Sequence, residues 1–399
     1  MKKHIGLIVI QATPFCNIAC KYCYLPNRES RQKMALSSVE RIFANVLSSG
    51  WLDDRVTVVW HAGEPMALGR RYYEEAFRLI DQLRPVGLTV EHSFQTNGTL
   101  IDQEWCDFIT SSKLKIGISL DGPQWLHDKY RVGRDGKGSF ARVSRGIALL
   151  RENNIDFSVI AVLTRDSLAC PDELFEFFKG IGVKRLAFNV EEIEGGNLTS
   201  SLLGKDTYML YWRFLARFWE RLINEHSIWT LREFEESLAC IVRPAGTEML
   251  NTQTTPFSML NIDVNGNFST FSPEFVGQSD ERYGNFCFGN LNDVPLNSAL
   301  DHPVFLRLNE DIQAGVKKCE AECPYFSVCG GGAPVNKLNE NGSLISSETM
   351  FCRLTKKLPT DLALALLEQS AAQEQSGALR DAPVQQPGAT RLFGTCRGR

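Results

Sequence analysis

The first 190 residues alternate between short apolar runs and longer amphipathic segments, and this alternation limits the possible folds more than any other feature. The apolar runs have the nearly continuous β-branched character of strands buried on both faces. The predicted strands are 5–12, 56–61, 89–96, 115–120, 156–163 and 185–190. The predicted helices are 37–49, 72–83, 102–111, 139–153 and 171–179. Six units predict a right-handed parallel α/β array and are too few for the eightfold barrel, so we expect a partial (β/α)6 TIM-type barrel.

Two helices carry further signals. Ser37 and Glu40 have the spacing of a capping box, which predicts that the helix at 37–49 begins there. The segment 208–225 is rich in aromatic residues at helical spacing, so we expect a long helix that packs between domains.

The character of the chain changes near residue 256. Short runs at 261–264 and 267–271 flank Asn265-Gly266, which predicts a hairpin opening a loop-rich second domain. The last residues are poor in large apolar side chains, which is typical of a mobile tail. The predicted organisation is a barrel at 1–235, a linker at 236–255, a second domain at 256–370 and a disordered tail at 371–399.

Charge and hydropathy exclude several classes of protein. The net charge of −4 is spread along the chain, so no basic surface for nucleic acid is expected. The longest apolar runs fall far short of the roughly 20 residues needed to cross a membrane, and no signal peptide is recognisable. We therefore expect a cytoplasmic protein, in which cysteines serve metal binding or catalysis rather than disulfides.

Three of the twelve cysteines, Cys16, Cys20 and Cys23, lie in one short segment after the first predicted strand. Thiolates suit iron–sulfur clusters and zinc alike. Three thiolates leave one iron of a four-iron cluster open, and an open metal position admits a substrate or cosubstrate. No fourth ligand follows within the loop, which disfavours the alternative of a zinc knuckle.

A second set consists of Cys319, Cys323, Cys329 and Cys352. Four thiolates complete either a closed [4Fe–4S] cluster or a structural zinc site, and spacing alone leaves both open. Of the remaining cysteines, Cys106 is expected in the core and Cys287 is a candidate spare ligand. No role is predicted for Cys170, Cys240 or Cys396.

Polar motifs end the next three strands. His61-Ala62-Gly63-Glu64-Pro65 ends the second, Gln95-Thr96-Asn97-Gly98 the third, and Ser119-Leu120-Asp121-Gly122-Pro123, followed by Arg131, the fourth. Taken singly, each motif is as compatible with an ordinary turn or helix cap as with a binding site. Since the carboxyl ends of parallel strands meet at one edge, the motifs are expected together near the cysteine loop.

At these residues the chain resembles the radical S-adenosylmethionine (SAM) superfamily, whose signature has the same cysteine spacing with an aromatic residue, here Tyr22, before the third cysteine. The resemblance implies that Cys16, Cys20 and Cys23 hold a SAM-cleaving [4Fe–4S] cluster. It also implies a SAM site formed by Gly63, Glu64, Asn97, Ser119 and Arg131, and reductive cleavage of SAM to a 5′-deoxyadenosyl radical.

The second cysteine set resembles the SPASM domain of radical SAM enzymes that modify peptides and proteins. By this resemblance Cys319, Cys323, Cys329 and Cys352 hold one auxiliary [4Fe–4S] cluster. A further SPASM cysteine is replaced by Ala333, and Ser272 stands where sulfatase maturases have an aspartate. These departures argue against sulfatase maturation. The sequences of the segments 271–274, 288–291 and 348–356 are most similar to those of cyclophane-forming peptide maturases of the GrrM type.

The resemblance implies that a radical on a peptide β-carbon attacks an aromatic ring within a three-residue motif. The partners are then a precursor peptide and an electron donor of the flavodoxin or ferredoxin class, with neither nucleic acid nor membrane. Glu274 is a candidate base for the ring proton, although an exposed loop carboxylate is the plainer interpretation. The first strand begins almost at the N-terminus, so we expect no leader-binding domain before it. Thioether formation, epimerisation, sulfatase-type maturation and a non-catalytic zinc scaffold stay open as alternatives.

Overall fold

The computed structural model describes residues 4–225, 229–244, 247 and 249–375. Within these ranges, no helix has both the length and the apolar character required to cross a bilayer.

A nine-stranded sheet forms the centre of the molecule. Its strands are β1 (Ile5–Ile10), β2 (Leu52–Trp60), β3 (Thr89–Thr96), β4 (Lys115–Ser119), β5 (Phe157–Leu163), β6 (Arg185–Val190), β7 (Thr230–Leu231), β8 (Met259–Ile262) and β9 (Phe268–Ser269). Their spatial order is β7-β6-β5-β4-β3-β2-β1-β8-β9, and β1 to β6 are parallel to their sequence neighbours. The predicted α/β fold with a parallel sheet is confirmed, with strand ends shifted by at most a few residues.

The carboxyl ends of the central strands lie in register. Ile10 of β1 pairs with Trp60 of β2, Trp60 with Phe94 of β3, and Thr96 at the end of β3 with Ile118 of β4. The segments that follow these strands therefore meet at one edge of the sheet, as expected for a parallel array.

Helices connect the strands and continue into the C-terminal part. They are α1 (Leu36–Leu47), α2 (Arg70–Leu83), α3 (Gln103–Ser112), α4 (Gln124–Tyr130), α5 (Phe140–Glu152), α6 (Pro171–Gly180), α7 (Thr207–Asn224), α8 (Arg232–Ile241), α9 (Pro303–Glu322), α10 (Phe326–Cys329), α11 (Pro334–Asn341), α12 (Met350–Cys352) and α13 (Leu358–Gln375). A π-helical segment, Arg353–Lys357, joins α12 to α13.

The predicted capping box at Ser37 and Glu40 is wrong. Ala35 occupies the N-cap of α1 in an extended conformation, and no side chain caps the helix. The preceding Met34 is buried, and its amide donates to the carbonyl of Ala12 at 2.8 Å. This anchor fixes where the chain turns into the helix, so Ser37 lies inside the first turn rather than at the cap.

The predicted aromatic helix forms as α7 (Thr207–Asn224). Tyr211, Phe214, Phe218 and Trp219 of α7 are buried, and α7 contacts both α6 and α13. The Tyr208 hydroxyl also donates to Asp361 Oδ2 of α13 at 3.0 Å. Helix α7 therefore joins the strand-rich part of the chain to its C-terminal helix.

The later part of the chain differs from the expectation in three respects. The hairpin forms, but β8 also pairs in parallel with β1 and so extends the central sheet. The region is not loop-rich, because α9 alone is 20 residues long, and α8 enters the predicted linker. Helix α13 continues to Gln375, so the tail predicted at 371–399 is wrong for 371–375, whereas 376–399 lie outside the described residues. The domain bounds themselves stay a prediction.

Candidate functional site

A cavity of about 230 Å³ lies at the carboxyl edge of the sheet. It brings together the eight residues predicted to hold the first cluster and SAM, and also Glu274. The eight are Cys16, Cys20, Cys23, Gly63, Glu64, Asn97, Ser119 and Arg131. Cys16 and Arg131 are separated by more than 100 residues in sequence, so this convergence is a property of the fold.

The cysteine loop between β1 and α1 is held by backbone hydrogen bonds. The amide of Ala19 donates to Val132 O at 2.7 Å, and that of Lys21 donates to Tyr130 O at 2.9 Å. These contacts fix the loop against the segment that follows α4. Every cysteine in the described part of the chain is a free thiol.

Two polar side chains are directed at the sulfur atoms. Asn97 Nδ2 lies 3.8 Å from Cys16 Sγ, and Arg131 Nη1 lies 3.9 Å from Cys20 Sγ. Arg131 is buried and its Nε forms an ion pair with Asp121 Oδ1 at 3.0 Å, so the guanidinium is fixed in place. N–H donors directed at thiolate sulfur favour a negatively charged group there, which fits an iron–sulfur cluster.

Burial also makes these cysteines poor acids in the absence of a metal. It raises the pKa of Cys16 to about 12 and that of Cys20 to about 11. A metal that binds them takes the place of the thiol protons, because thiolate is the ligand form.

Gly63 and Glu64 form the turn after β2. A Cβ on Gly63 would lie 2.2 Å from Thr13 O, and φ is +138°, so only glycine fits this approach to the start of the cysteine loop. The buried Glu64 carboxylate accepts from Thr96 Oγ1 at 2.6 Å, Asn97 N at 2.8 Å and Met66 N at 3.0 Å. A carboxylate accepts about four hydrogen bonds, so one position is left for an ammonium group. Burial raises the pKa of Glu64 to about 7.

The other two predicted SAM residues are fixed by side-chain hydrogen bonds. Asn97 Nδ2 donates to Asn17 Oδ1 at 2.8 Å, and Ser119 Oγ accepts from Gln95 Nε2 at 2.9 Å. Both line the cavity, so the donor set fits a polar cosubstrate beside the thiolates.

Three buried carboxyl groups with raised pKa values also line the cavity, and we call Glu192, Glu194 and Glu274 the acidic triad. Burial raises the pKa of Glu192 and of Glu274 to about 7, while burial and the neighbouring Glu192 raise the pKa of Glu194 well above its usual range. Asn336 Nδ2 donates to Glu192 Oε2 at 2.7 Å. The interpretation of Glu274 as an exposed loop carboxylate is wrong, because its Oε2 is shielded from solvent and has no hydrogen-bond partner in the described chain.

Glu192 and Glu194 were not among the residues predicted from sequence. Both follow β6 directly, at the same edge of the sheet as the other motifs. Their position just after the sixth strand is the sequence signal that could have identified them, because parallel strands end at one edge.

The second cysteine set lies where α9 to α12 meet. Cys319 is the last buried residue of α9, Cys329 is the last residue of α10, and Cys352 is the last residue of α12. The pKa of Cys329 is raised by burial and then by the nearby Cys319 and Cys323. Among the described residues, no three His, Cys, Asp or Glu side chains are grouped as for a single metal ion. The buried Lys337 Nζ lies 3.2 Å from Cys319 Sγ, a cationic donor that suits an anionic thiolate-bound group.

Several cysteines lie outside the two sets, and Ser272 and Ala333 replace residues of the SPASM pattern. Cys106 is buried in the core, as predicted. The thiol of Cys287 donates to Asn285 O at 3.4 Å. Ser272 is buried, and its hydroxyl has no partner in the described part of the chain. Ala333 is buried at the N-cap of α11, and Cys396 lies outside the described residues.

Comparisons with known proteins agree with this geometry. The Radical SAM superfamily profile matches residues 10–178. The protein sll1766 of Synechocystis is 42% identical over 372 residues, 92% of each chain. The serine-type anaerobic sulfatase-maturating enzyme of Klebsiella aerogenes is 26% identical over 333 residues, which are 83% of this chain and 79% of that enzyme.

Solved structures share the fold. AdoMet-bound anSMEcpe with the Cp18Cys peptide has a TM-score of 0.75 at 21% identity and covers 93% of this chain and 99% of its own. Streptococcus suis SuiB bound to its precursor peptide SuiA has a TM-score of 0.61 at 18% identity and covers 88% of this chain and 76% of its own. The residues matched by the profile include the cysteine loop and the polar ends of β2, β3 and β4. The chain belongs to the radical SAM superfamily, and it is an enzyme that uses S-adenosylmethionine and iron–sulfur chemistry.

Proposed function

We propose that this enzyme matures a ribosomally synthesised peptide by forming a carbon–carbon cyclophane between an aromatic ring and a β-carbon within a three-residue motif. The observation that carries the proposal is the acidic triad, which lines the same cavity as the three-cysteine loop. Ring closure needs both a radical generator and a proton acceptor in one site, and this cavity holds groups suited to each.

A peptide substrate is supported by the shape of the site and by the relatives. The cavity shares Asn189, Glu192 and Glu274 with a second cavity of about 280 Å³. The second shares Glu233 and Lys356, among others, with a third of about 590 Å³ that reaches Cys329. A series of adjoining cavities suits an extended chain better than a compact metabolite. The solved structures of anSMEcpe and SuiB each include one with a bound peptide.

The residues around the thiolates have separate roles in this proposal. Glu64 receives the SAM ammonium at its remaining acceptor position, and Gly63 permits the close approach of the backbone. Asn97, Ser119 and Arg131 orient the rest of the cosubstrate. When bound, SAM and the first cluster supply a 5′-deoxyadenosyl radical, and a second cluster supplies an electron acceptor.

Glu274 is the proposed base. Its Oε2 is shielded and without a partner in the described chain, and its pKa of about 7 matches a group that must both take and release a proton near neutral pH. The β-carbon would lose its hydrogen atom to the 5′-deoxyadenosyl radical and then bond to the ring. The ring would regain aromaticity by losing a proton to Glu274 Oε2 and an electron to the acceptor cluster. Glu192 and Glu194 are the neighbouring carboxyls of the same site.

The proposed organisation retains the predicted bounds. Residues 1–235 form the radical SAM unit as a partial barrel, 236–255 a linker, and 256–370 a SPASM-type unit. In that unit Cys319, Cys323, Cys329 and Cys352 hold one auxiliary [4Fe–4S] cluster. A flavodoxin or ferredoxin supplies the electron for SAM cleavage.

Sulfatase-type maturation is the second candidate. It is favoured by the anaerobic sulfatase-maturating enzymes among the relatives, such as that of Klebsiella aerogenes, which this chain matches over 83% of its length. Ser272 and Ala333 stand against it, since the resemblance places an aspartate and a cysteine of sulfatase maturases at these positions.

Co-expression with a candidate precursor peptide, followed by tandem mass spectrometry and an aldehyde-reactive hydrazine, separates the two functions. A cyclophane removes two hydrogens, suppresses fragmentation inside the motif and leaves the hydrazine unreacted. Serine oxidation also removes two hydrogens but leaves a reactive aldehyde and normal fragmentation. Epimerisation leaves the mass unchanged, and a thioether requires a cysteine in the peptide. An aldehyde product would refute the cyclophane proposal.

Metal analysis tests the zinc scaffold. Two four-iron clusters require about eight irons per chain, held by three and four thiolates respectively. A chain that binds zinc and shows no thiolate-to-iron absorption after anaerobic reconstitution would be a scaffold.

A further inference from the structure

Lys337 of α11 is a buried cation beside the second cysteine set. Only 3% of the residue is exposed to solvent. Its Nζ donates to Gly315 O at 2.9 Å and to Cys319 Sγ at 3.2 Å. No carboxylate forms an ion pair with it within the described part of the chain.

The surrounding backbone is shaped to admit this ammonium group. Gly315 and Cys319 are four residues apart on the buried face of α9, so both present partners to the same point. A Cβ on Gly315 would lie 2.1 Å from Leu344 O and 3.3 Å from Lys337 Nζ. The absence of a side chain at this position therefore lets α9 approach both the Leu344 carbonyl and the Lys337 ammonium group.

A buried ammonium without a carboxylate requires another source of negative charge, because desolvation of an unpaired charge is costly. The anionic partner within reach is the sulfur of Cys319. A thiolate-bound iron–sulfur cluster is more negative in its reduced than in its oxidised state. A fixed positive charge therefore stabilises the reduced state, and hydrogen bonds to the sulfur act in the same direction.

Lys357 provides a contrast within the same region. Its ammonium lies near Cys323 and Cys352, but it forms an ion pair with Glu348 and is partly exposed. Its charge is already balanced by a carboxylate and screened by solvent, so it has less influence on the thiolates.

We propose that Lys337 is a positioning residue that raises the reduction potential of the auxiliary cluster held by Cys319, Cys323, Cys329 and Cys352. This inference rests on the proposed presence of that cluster. It explains how the site becomes an electron acceptor, since a higher potential favours uptake of the electron that the substrate releases when its ring regains aromaticity.

The test is a redox titration followed by electron paramagnetic resonance. Alanine at Cys16, Cys20 and Cys23 removes the first cluster, so the full chain then reports the second one alone. In this background Lys337→Met removes both charge and hydrogen bond, and Lys337→Gln retains a donor without the charge. Lys318→Met is the matched control, because Lys318 carries the same charge on the exposed side of the same helix, next to Cys319.

We expect Lys337→Met to shift the one-electron equilibrium at least tenfold toward the oxidised state, a fall in potential of about 59 mV. Lys337→Gln should shift it in the same direction by less, and Lys318→Met by less than twofold. An Lys337→Met shift below twofold, or loss of the cluster from both Lys337 variants, would overturn the proposal and leave the proposed function intact. A parent chain that holds zinc and no iron would overturn the auxiliary cluster and this inference together.

Discussion

Replacing Glu274 by glutamine should change how the stability of the protein depends on pH. Burial raises the pKa of this carboxyl from 4.5 to about 7. At pH 6 the folded chain therefore retains the proton, whereas the unfolded chain has released it. A raised carboxyl pKa stabilises the fold fully below pH 4.5, and this contribution disappears as pH rises through about 7.

The magnitude follows from linkage. Between pH 6 and pH 8.5 the ionisation of a carboxyl with such a raised pKa lowers the free energy of unfolding by an amount on the order of 1 kcal/mol. Glutamine cannot ionise, so the Glu274→Gln variant should lack this loss. The pKa of Glu194 is raised in part by Glu274, so removing that charge reduces the pH dependence further.

Anaerobic urea unfolding at pH 6, 7 and 8.5, followed by circular dichroism, measures the effect. Glu281→Gln is the matched control, since Glu281 is an exposed carboxylate seven residues further along the same segment. The wild type and the control should lose more stability over this range than Glu274→Gln, by an amount on the order of 1 kcal/mol. Parallel pH dependence in all three proteins would refute the assignment of Glu274 as a buried carboxyl with a raised pKa.

Two further substitutions test the architecture around the thiolates. Gly63→Ala places a Cβ 2.2 Å from Thr13 O and should prevent the first cluster from binding. The iron content should then fall from about eight to about four atoms per chain. Arg131→Met leaves the buried Asp121 carboxylate without its cationic partner and should lower the free energy of unfolding by about 3–5 kcal/mol in urea titrations. Arg78→Met removes only the exposed ion pair with Glu75 and should have a much smaller effect on the free energy of unfolding. Equal losses in the Arg131 and Arg78 variants would contradict this reasoning.

The sheet and the thiolate loop could be predicted from sequence because their signals are local. Strands buried on both faces require continuous apolar runs, and β3 and β6 were predicted to the residue. The polar residues after β2, β3 and β4 could be brought together by argument, since parallel strands end at one edge.

Other features depend on contacts that no local pattern reports. The start of α1 is set by the anchoring of Met34 to Ala12 rather than by Ser37. Helix α9 was missed because Gly315 and Cys319 occupy its buried face where a helical pattern would show large apolar residues. The burial of Glu274 results from the chain returning to the carboxyl edge of the sheet after β9, which its own neighbours in sequence do not indicate.

The central claim is that the loop of Cys16, Cys20 and Cys23 supports reductive cleavage of SAM. The direct measurement is 5′-deoxyadenosine released from SAM and dithionite by anaerobically prepared protein. The wild type and a Cys287→Ala control should produce it, and Cys16→Ala should not, because Cys287 donates to a loop carbonyl away from the cavity. Absence of 5′-deoxyadenosine from the wild type, or equal yields with and without Cys16, would contradict the account.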